Sequence, residues 1–596
     1  MPRRPFDRVL RVDLTAERVE SEAVPEKWLR RYVGGKGVGA RYLYEELSAG
    51  ADPLGPENVL LFVRGPLSGA LPGEPRYAAV TKSPLTGAFL DSYGGGEFAA
   101  GLAGALGEHV GVLVTGRAER PVKLEVEDGA ATISSAEDLW GADAVEACGV
   151  DDAPVACVGP AGEHRVAYAT IASDGGEHHA GRGGAGAVMG AKRLKAVVAR
   201  GDRPDDLRAL REEYAERFRN ADVGRWQAAS GTLESVDFAD EVGVLSTRGW
   251  QEGRFDGTED IGIEAARAAA RERERDDDAV PGGFRVETDE GEHVPRGANA
   301  MSLGAGLGID EFDGVAVLGG TCDRLGVDVI SAGSAVAWAI RASQEGIVER
   351  DLRFGDPDGA RALIEEIARR ETPLGDALAD GVSAAAASFG GDDLVPTVKA
   401  MEVPPYDPRG AKGMALAYAT SDRGGCHRRA RPVETEVFRG EEPSDADRVR
   451  GVIAEQNARS VLWSLIIDDF VGEVLRSDLG AEWLSAVGYD YEASDLRTVG
   501  ERIWTLVRLF NVREGFSRAD DGLPAVFTEP LTGGPADGEA LDPDAFEATL
   551  ERYYAERGWG EEGRPARALL ERLDLADAVD DATGVASEPV GPPNDG

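Results

Sequence analysis

The chain has 596 residues, enough for about three domains at roughly 100–200 residues each. Hydrophobic residues make up 42% of it, which excludes a disordered chain and allows packed cores. Acids outnumber bases 108 to 65, for a net charge of −43, so the surface repels nucleic acid and anionic membranes, and neither is expected as a partner.

The acids are spread along the whole chain rather than gathered in a tail. That distribution suits a halophilic, high-salt cytoplasm, where screening removes the self-repulsion. No apolar run reaches the ~18–20 residues of a membrane span, and the opening segment carries no apolar signal core. A cytoplasmic protein is therefore expected. The four cysteines, Cys148, Cys157, Cys322 and Cys426, form no C-x2-C pair, which argues against a local zinc or iron–sulfur site.

In chain order, residues 1–203 read as strands with glycine turns. Leu10, Val12 and Leu14 alternate with charged residues, the pattern of a half-buried strand. Tyr32 to Gly39, YVGGKGVG, reads as a tight glycine turn before a short helix. Val59 to Val63 is a buried-strand run. Arg76 to Gly96 holds an arginine, a lysine, a Ser-Pro turn and a triple glycine. Val122 to Val126 and Ala130 to Ser134 flank Asp128-Gly129, a hairpin signal.

Gly181 to Val197 is GRGGAGAVMGAKRLKAV, with four glycines in its first six positions. Bare backbone beside the Arg182 donor fork suits a phosphorylated ligand. A glycine-rich turn between core strands suits the same residues, and spacing alone does not separate the two.

From Asp205 the pattern turns helical. Helices are predicted over 205–220, 263–275, 311–325, 329–344, 360–370, 446–470, 496–510, 544–557 and 565–573. Residues 580–596 are acidic and read as a frayed tail. The expected class is α+β: a β-rich domain over 1–203, then helical domains over 204–404 and 405–596.

Several segments in order then resemble one family: GGKGVG (Gly34–Gly39), KSPLTG (Lys82–Gly87), VGPAGE (Val158–Glu163), GRGGAGAVMGAKRLKA (Gly181–Ala196), CDRLGVD (Cys322–Asp328), YDPRG (Tyr406–Gly410), YATSDRGGCH (Tyr418–His427), FNVREGFSRADDGLP (Phe510–Pro524) and YYAERGW (Tyr553–Trp559). Together they resemble the aldehyde:ferredoxin oxidoreductases, which hold tungsten between two pterins. The resemblance implies a β-rich base for a tungsten (or molybdenum) bis-pterin, with the helical domains covering it. It implies pterin-phosphate contacts from Arg76, from the loop of Ser92, Tyr93, Gly94 and Gly95, and from Arg182, Gly183 and Gly184. A magnesium ion between the phosphates would use backbone carbonyls, because Tyr93 replaces an asparagine. One turn implied to hold a pterin ring is intact as Asp323, Gly326 and Asp328. The second, Trp463 to Asp468, keeps only its frame. His427 is implied as a proton donor near the metal, with a pKa in the working range, and Arg429 as a further pterin contact.

Departures from the family carry their own expectations. Asp277, Val280, Phe284 and Asp468 stand where four cysteines would ligate a [4Fe–4S] cluster, so the cluster is expected to be absent. The family's acidic segment is replaced by Val294 to Asn299, with Arg296 or Ala298 in the acidic places, although Glu287, Glu290 or Glu292 could stand in. The implied activity is oxidation of an aldehyde to a carboxylate, with ferredoxin or another carrier as electron acceptor and a homodimer as a family-like assembly. The alternative is a non-catalytic paralogue that keeps the pterin cradle or binds a partner subunit.

Overall fold

The structure is a computed structural model, and it describes residues 6–205, 207–270, 284–289, 291–438 and 443–591. Its first 200 residues form two six-stranded sheets. In the first sheet β2 (Arg18–Ala23), β1 (Arg8–Asp13), β6 (His109–Thr115), β3 (Leu60–Val63), β4 (Arg76–Lys82) and β5 (Phe89–Gly95) lie in that order. In the second the order is β11 (His178–Ala180), β10 (Ile171–Ser173), β9 (Val155–Cys157), β12 (Leu194–Arg200), β7 (Val122–Glu127) and β8 (Ala130–Ser135). The pairs β1–β6 and β7–β12 run parallel and the others antiparallel. Phe62, Tyr77, Phe98, Val112, Leu124, Met189 and Val197 form one core of this region. Asp128 and Gly129 both take positive φ, 49° and 75°, as the tightest hairpin turn requires.

The rest of the described chain is mainly helical, so the expected α+β architecture holds. The helices Phe312–Leu325, Val329–Gln344, Ala493–Arg513 and Pro543–Arg557 fall close to their predicted spans. The helix predicted over 263–275 is described as Ile263–Ala270, and residues 271–275 lie outside the described residues.

Four expectations are corrected. The helix predicted over 446–470 ends at Leu465, where Ile466 takes φ 59°, and a second helix, Asp469–Val474, starts after Asp468. Ser92 to Gly95 is strand rather than loop, because each residue pairs across to β4. The helix of the GGKGVG motif starts at Gly35, so most of that motif lies inside it; the turn is confined to Val33 and Gly34. Residues 580–591 are docked rather than frayed: the Thr583 hydroxyl lies 2.7 Å from that of Tyr44, and Val590 N–H donates to the Trp559 carbonyl.

Candidate functional site

The β region and the helical region meet at two turns of the same construction. In each, a long helix ends in a left-handed residue, and two residues later an aspartate caps the next helix. In the first turn the helix Phe312–Leu325 ends at Gly326, φ 73°, and the Asp328 carboxylate accepts the Ser331 N–H at 2.9 Å. In the second the helix Asp445–Leu465 ends at Ile466, and the Asp468 carboxylate accepts the N–H groups of Phe470 and Val471.

Bare glycine backbone from the β region receives each helix end. A Cβ on Gly159 would lie 2.6 Å from the Leu325 carbonyl oxygen. On Gly35 it would lie 2.4 Å from the Trp463 carbonyl oxygen, and on Gly65 equally close to that of Leu465. These contacts explain the glycines of VGPAGE and GGKGVG as packing requirements.

Each capping aspartate also meets an arginine. Arg182 follows β11 in a run of three left-handed residues, with φ values of 65°, 77° and 87° at Arg182, Gly183 and Gly184. Holding a non-glycine residue there costs about 1 kcal/mol. Two hydroxyls pin the run: Ser92 Oγ donates to the Arg182 carbonyl at 3.1 Å, and Ser83 Oγ donates to the Gly183 carbonyl at 2.7 Å. The Arg182 side chain is 4% exposed. Its Nη2 donates to the Glu402 carbonyl, while Nε and Nη1 are buried without hydrogen-bond partners among the described residues. The Asp328 carboxylate lies 3.9 Å from Nε. Arg76, at the start of β4, is engaged through Nε and Nη2. It donates to Asp468 Oδ2 through Nε at 3.1 Å and Nη2 at 2.9 Å, and also to Glu74, whose other oxygen pairs with His178.

The residues at the helix ends differ as well. Asp323 keeps its carboxylate partly exposed, 3.2 Å from His179 Nε2. Trp463, its counterpart, is 2% exposed. Its ring lies 5.4 Å from that of Tyr93 and 4.4 Å from the Arg429 guanidinium, and its Nε1–H donates to Asp469 at 2.9 Å. Beside it lies a closed ionic group. Lys36 Nζ is 3.1 Å from Asp91 and 2.5 Å from Asp422; Arg429 pairs with the same two carboxylates; Tyr93 O–H donates to Asp91 at 2.6 Å.

Arginines also crowd Cys426 and His427. Arg423 Nη2 donates to Cys426 Sγ at 3.1 Å. Burial alone would raise that thiol, but Arg423, Arg429 and Arg182 outweigh it and bring it down to about 7. Burial, together with Arg182, Arg431, Arg428 and Arg423, drives His427 well below its ordinary value. The expectation of a pKa in the working range is therefore corrected. His427 is a neutral imidazole near pH 7, with Nδ1 buried and without a partner. It can donate and accept hydrogen bonds but holds no imidazolium.

The structure thus joins Ser92, Arg182, Gly183 and Asp328 at one turn and Arg76 and Asp468 at the other. Gly94 and Gly95 serve internal packing, since a Cβ on them would strike Tyr77 and Glu74 respectively. Phe284 is 4% exposed; Asp277, Val280 and Glu290 lie outside the described residues. Arg296 donates to the Glu177 carbonyl at 2.5 Å, and Glu287 and Glu292 are exposed on a hairpin. Sequence reading missed Lys36, Asp91, Asp422 and Arg423, although all four stand inside segments already singled out. It also missed Glu402, which is fully buried, held above the usual carboxylate range by that burial, and accepts from Ser331 Oγ at 2.8 Å.

Two family models match the chain: aldehyde ferredoxin oxidoreductase, N-terminal domain, over residues 9–201, and domains 2 and 3 of the same family over residues 209–575. The chain is 34% identical to a tungsten-containing aldehyde ferredoxin oxidoreductase of Pyrococcus furiosus, over 96% of this chain and 99% of that one. It is 33% identical to the protein of that name in Thermococcus kodakarensis, with the same coverage. An aliphatic sulfonate oxidoreductase, WOR-like subunit, of Pyrococcus furiosus is 27% identical over 96% of this chain and 97% of its own length. Among solved structures, the active site complex BamBC of benzoyl coenzyme A reductase shares the fold. Its TM-score is 0.79 at 23% identity, covering 96% of this chain and 97% of that one.

Proposed function

This chain belongs to the aldehyde ferredoxin oxidoreductase family and is an oxidoreductase, and from that premise we propose that it is a tungsten–pterin enzyme oxidising an aldehyde to a carboxylate. Ferredoxin or another one-electron carrier takes the electrons. The observation that carries this reading is Arg182. A guanidinium with two buried, unpartnered nitrogens is costly to keep unless a ligand anion completes it.

The first turn fits a phosphorylated pterin. Arg182 would take the phosphate, and the Asp323 and Asp328 carboxylates would accept hydrogen bonds from the donor edge of the ring. The bound group supplies the two-electron chemistry. The chain's own residues do the rest. Arg182, Arg423, Arg428 and Arg431 gather positive charge around His427 and Cys426 and stabilise negative charge there. The neutral His427 orients an oxygen by hydrogen bonding, and Tyr406, its ring 5.8 Å from that of His427, shields it.

A second reading, a cofactor-binding paralogue or partner subunit without turnover, is favoured by the segment Val294 to Asn299, where Arg296 or Ala298 stands in the family's acidic places. Dye reduction with acetaldehyde or benzaldehyde, together with metal analysis, separates the two. Turnover with about one tungsten (or molybdenum) per chain supports the enzyme; bound metal without turnover on any aldehyde tried supports the paralogue.

A further inference from the structure

The two turns share one construction but not one state. At the first, Arg182 is short of partners and Asp323 presents a partly exposed carboxylate. At the second, Arg76 is already paired with Glu74 and Asp468 through Nε and Nη2, and an indole stands where the first turn has a carboxylate. That indole is closed in on all the sides described: Tyr93 on one face, Arg429 and Lys36 at 4.4 and 5.5 Å from the ring centre, and Asp469 on the N–H. Arg428 closes the set, 2.6 Å from Asp469.

A pterin ring offers a row of N–H donors on one edge and needs a carboxylate or carbonyls opposite them. Trp463 offers a single N–H, a donor rather than an acceptor, and that N–H is already used. A phosphate there would also meet the carboxylates of Glu74 and Asp468, which already flank Arg76 and would repel it.

We propose that this chain seats a single pterin, at the Arg182–Asp323–Asp328 turn, and that the matching place at Arg76–Asp468 is permanently filled by Trp463 and Tyr93. The proposal rests on the tungsten–pterin reading above. It narrows the expected bis-pterin to one pterin per metal.

The test is a count. Protein purified from tungsten-supplied cells is oxidised to release the fluorescent pterin derivative, and tungsten and molybdenum are measured in the same sample by mass spectrometry. One pterin per metal ion is expected. Two per metal overturns the single seat and leaves the enzyme reading intact; no pterin and no metal overturns both. As a second arm, Asp323→Ala removes a partly exposed side chain whose partner is His179. At least a ten-fold loss of bound pterin is expected, while the pterin-free forms of the two proteins melt alike. Full pterin retention in that variant overturns the placement at the first turn.

Discussion

Arg76 Nη2 sits 2.9 Å from the Asp468 carboxylate, whereas in the sister turn Arg182 Nε stands 3.9 Å from Asp328 with no hydrogen bond between them. One pair is closed by the protein itself, and the other is left open. Burial and the carboxylates of Glu74 and Asp469 push Asp468 upward, against the pull of Arg76. Desolvation also works against the Arg76 charge, but Glu74 and Asp468 more than compensate and hold it above the usual arginine value. The closed pair is therefore a structural element.

The ionic group around Asp422 makes the fold acid-sensitive. Burial alone would raise this carboxyl, but Arg429 and Lys36 outweigh it and hold it at about 2, below its ordinary 3.8. A depressed carboxylate contributes stability that is present above the unfolded value and lost as pH falls through the folded one. Stability measured by urea titration should fall between about pH 4 and pH 2. The Asp422→Asn protein should be less stable at pH 7 and show a flatter acid limb; an unchanged limb would remove Asp422 from the group.

Lys36→Met leaves Asp91 and Asp422 sharing Arg429 alone. Breaking a buried pair by removing one partner costs about 3–5 kcal/mol, far more than the lost contact of an exposed one. Chemical denaturation should show a loss of that order. A loss below about 1 kcal/mol would mean that Lys36 is solvated in solution.

Gly35→Ala tests whether the GGKGVG glycines serve packing. Gly35 has φ 33°, and a Cβ there would lie 2.4 Å from the Trp463 carbonyl oxygen and 2.7 Å from Ile466. The expected destabilisation is about 1–3 kcal/mol, because the Trp463 and Ser464 carbonyls that the new Cβ would meet are helix backbone and cannot readily yield. A neutral or stabilising substitution, read from the melting curve, would refute this packing role.

Cys426 and His427 make opposite titration predictions. The thiol at about 7 should show a thiolate absorbance step centred near neutrality that Cys426→Ser abolishes. An ordinary thiol would titrate near 8.5. His427, neutral in the folded state, should show no imidazole titration by NMR between pH 6 and 8, and Arg182→Ala should move its pKa upward toward 6.5. A His427 midpoint near 6.5 in the unmodified protein would contradict the arginine crowding.

Much of this was legible in the chain. Strand alternation, the Asp128-Gly129 turn and long amphipathic periods gave the α+β layout because these signals are local. The break at Ile466 was not legible in the helical periodicity, although the resemblance placed a turn at Trp463 to Asp468: an isoleucine in the left-handed region is accommodated against Gly35, a tertiary contact that periodicity does not report. Asp91 stood unremarked within the Arg76 to Gly96 segment, and its meaning comes from Lys36 and Arg429, which are distant in sequence. The 3.1 Å approach of Cys148 and Cys157 escaped a search for C-x2-C for the same reason. Trp463 was seen as a departure, but only its packing against Tyr93 and Arg429 shows that the place is filled.

Tungsten and molybdenum content of the purified protein, compared between the unaltered chain and Arg182→Ala, bears most directly on the Arg182 anchor. The unaltered protein should carry close to one metal ion per chain. The variant should lose at least nine-tenths of it. Equal metal in both proteins, or none in the unaltered one, would contradict the assignment.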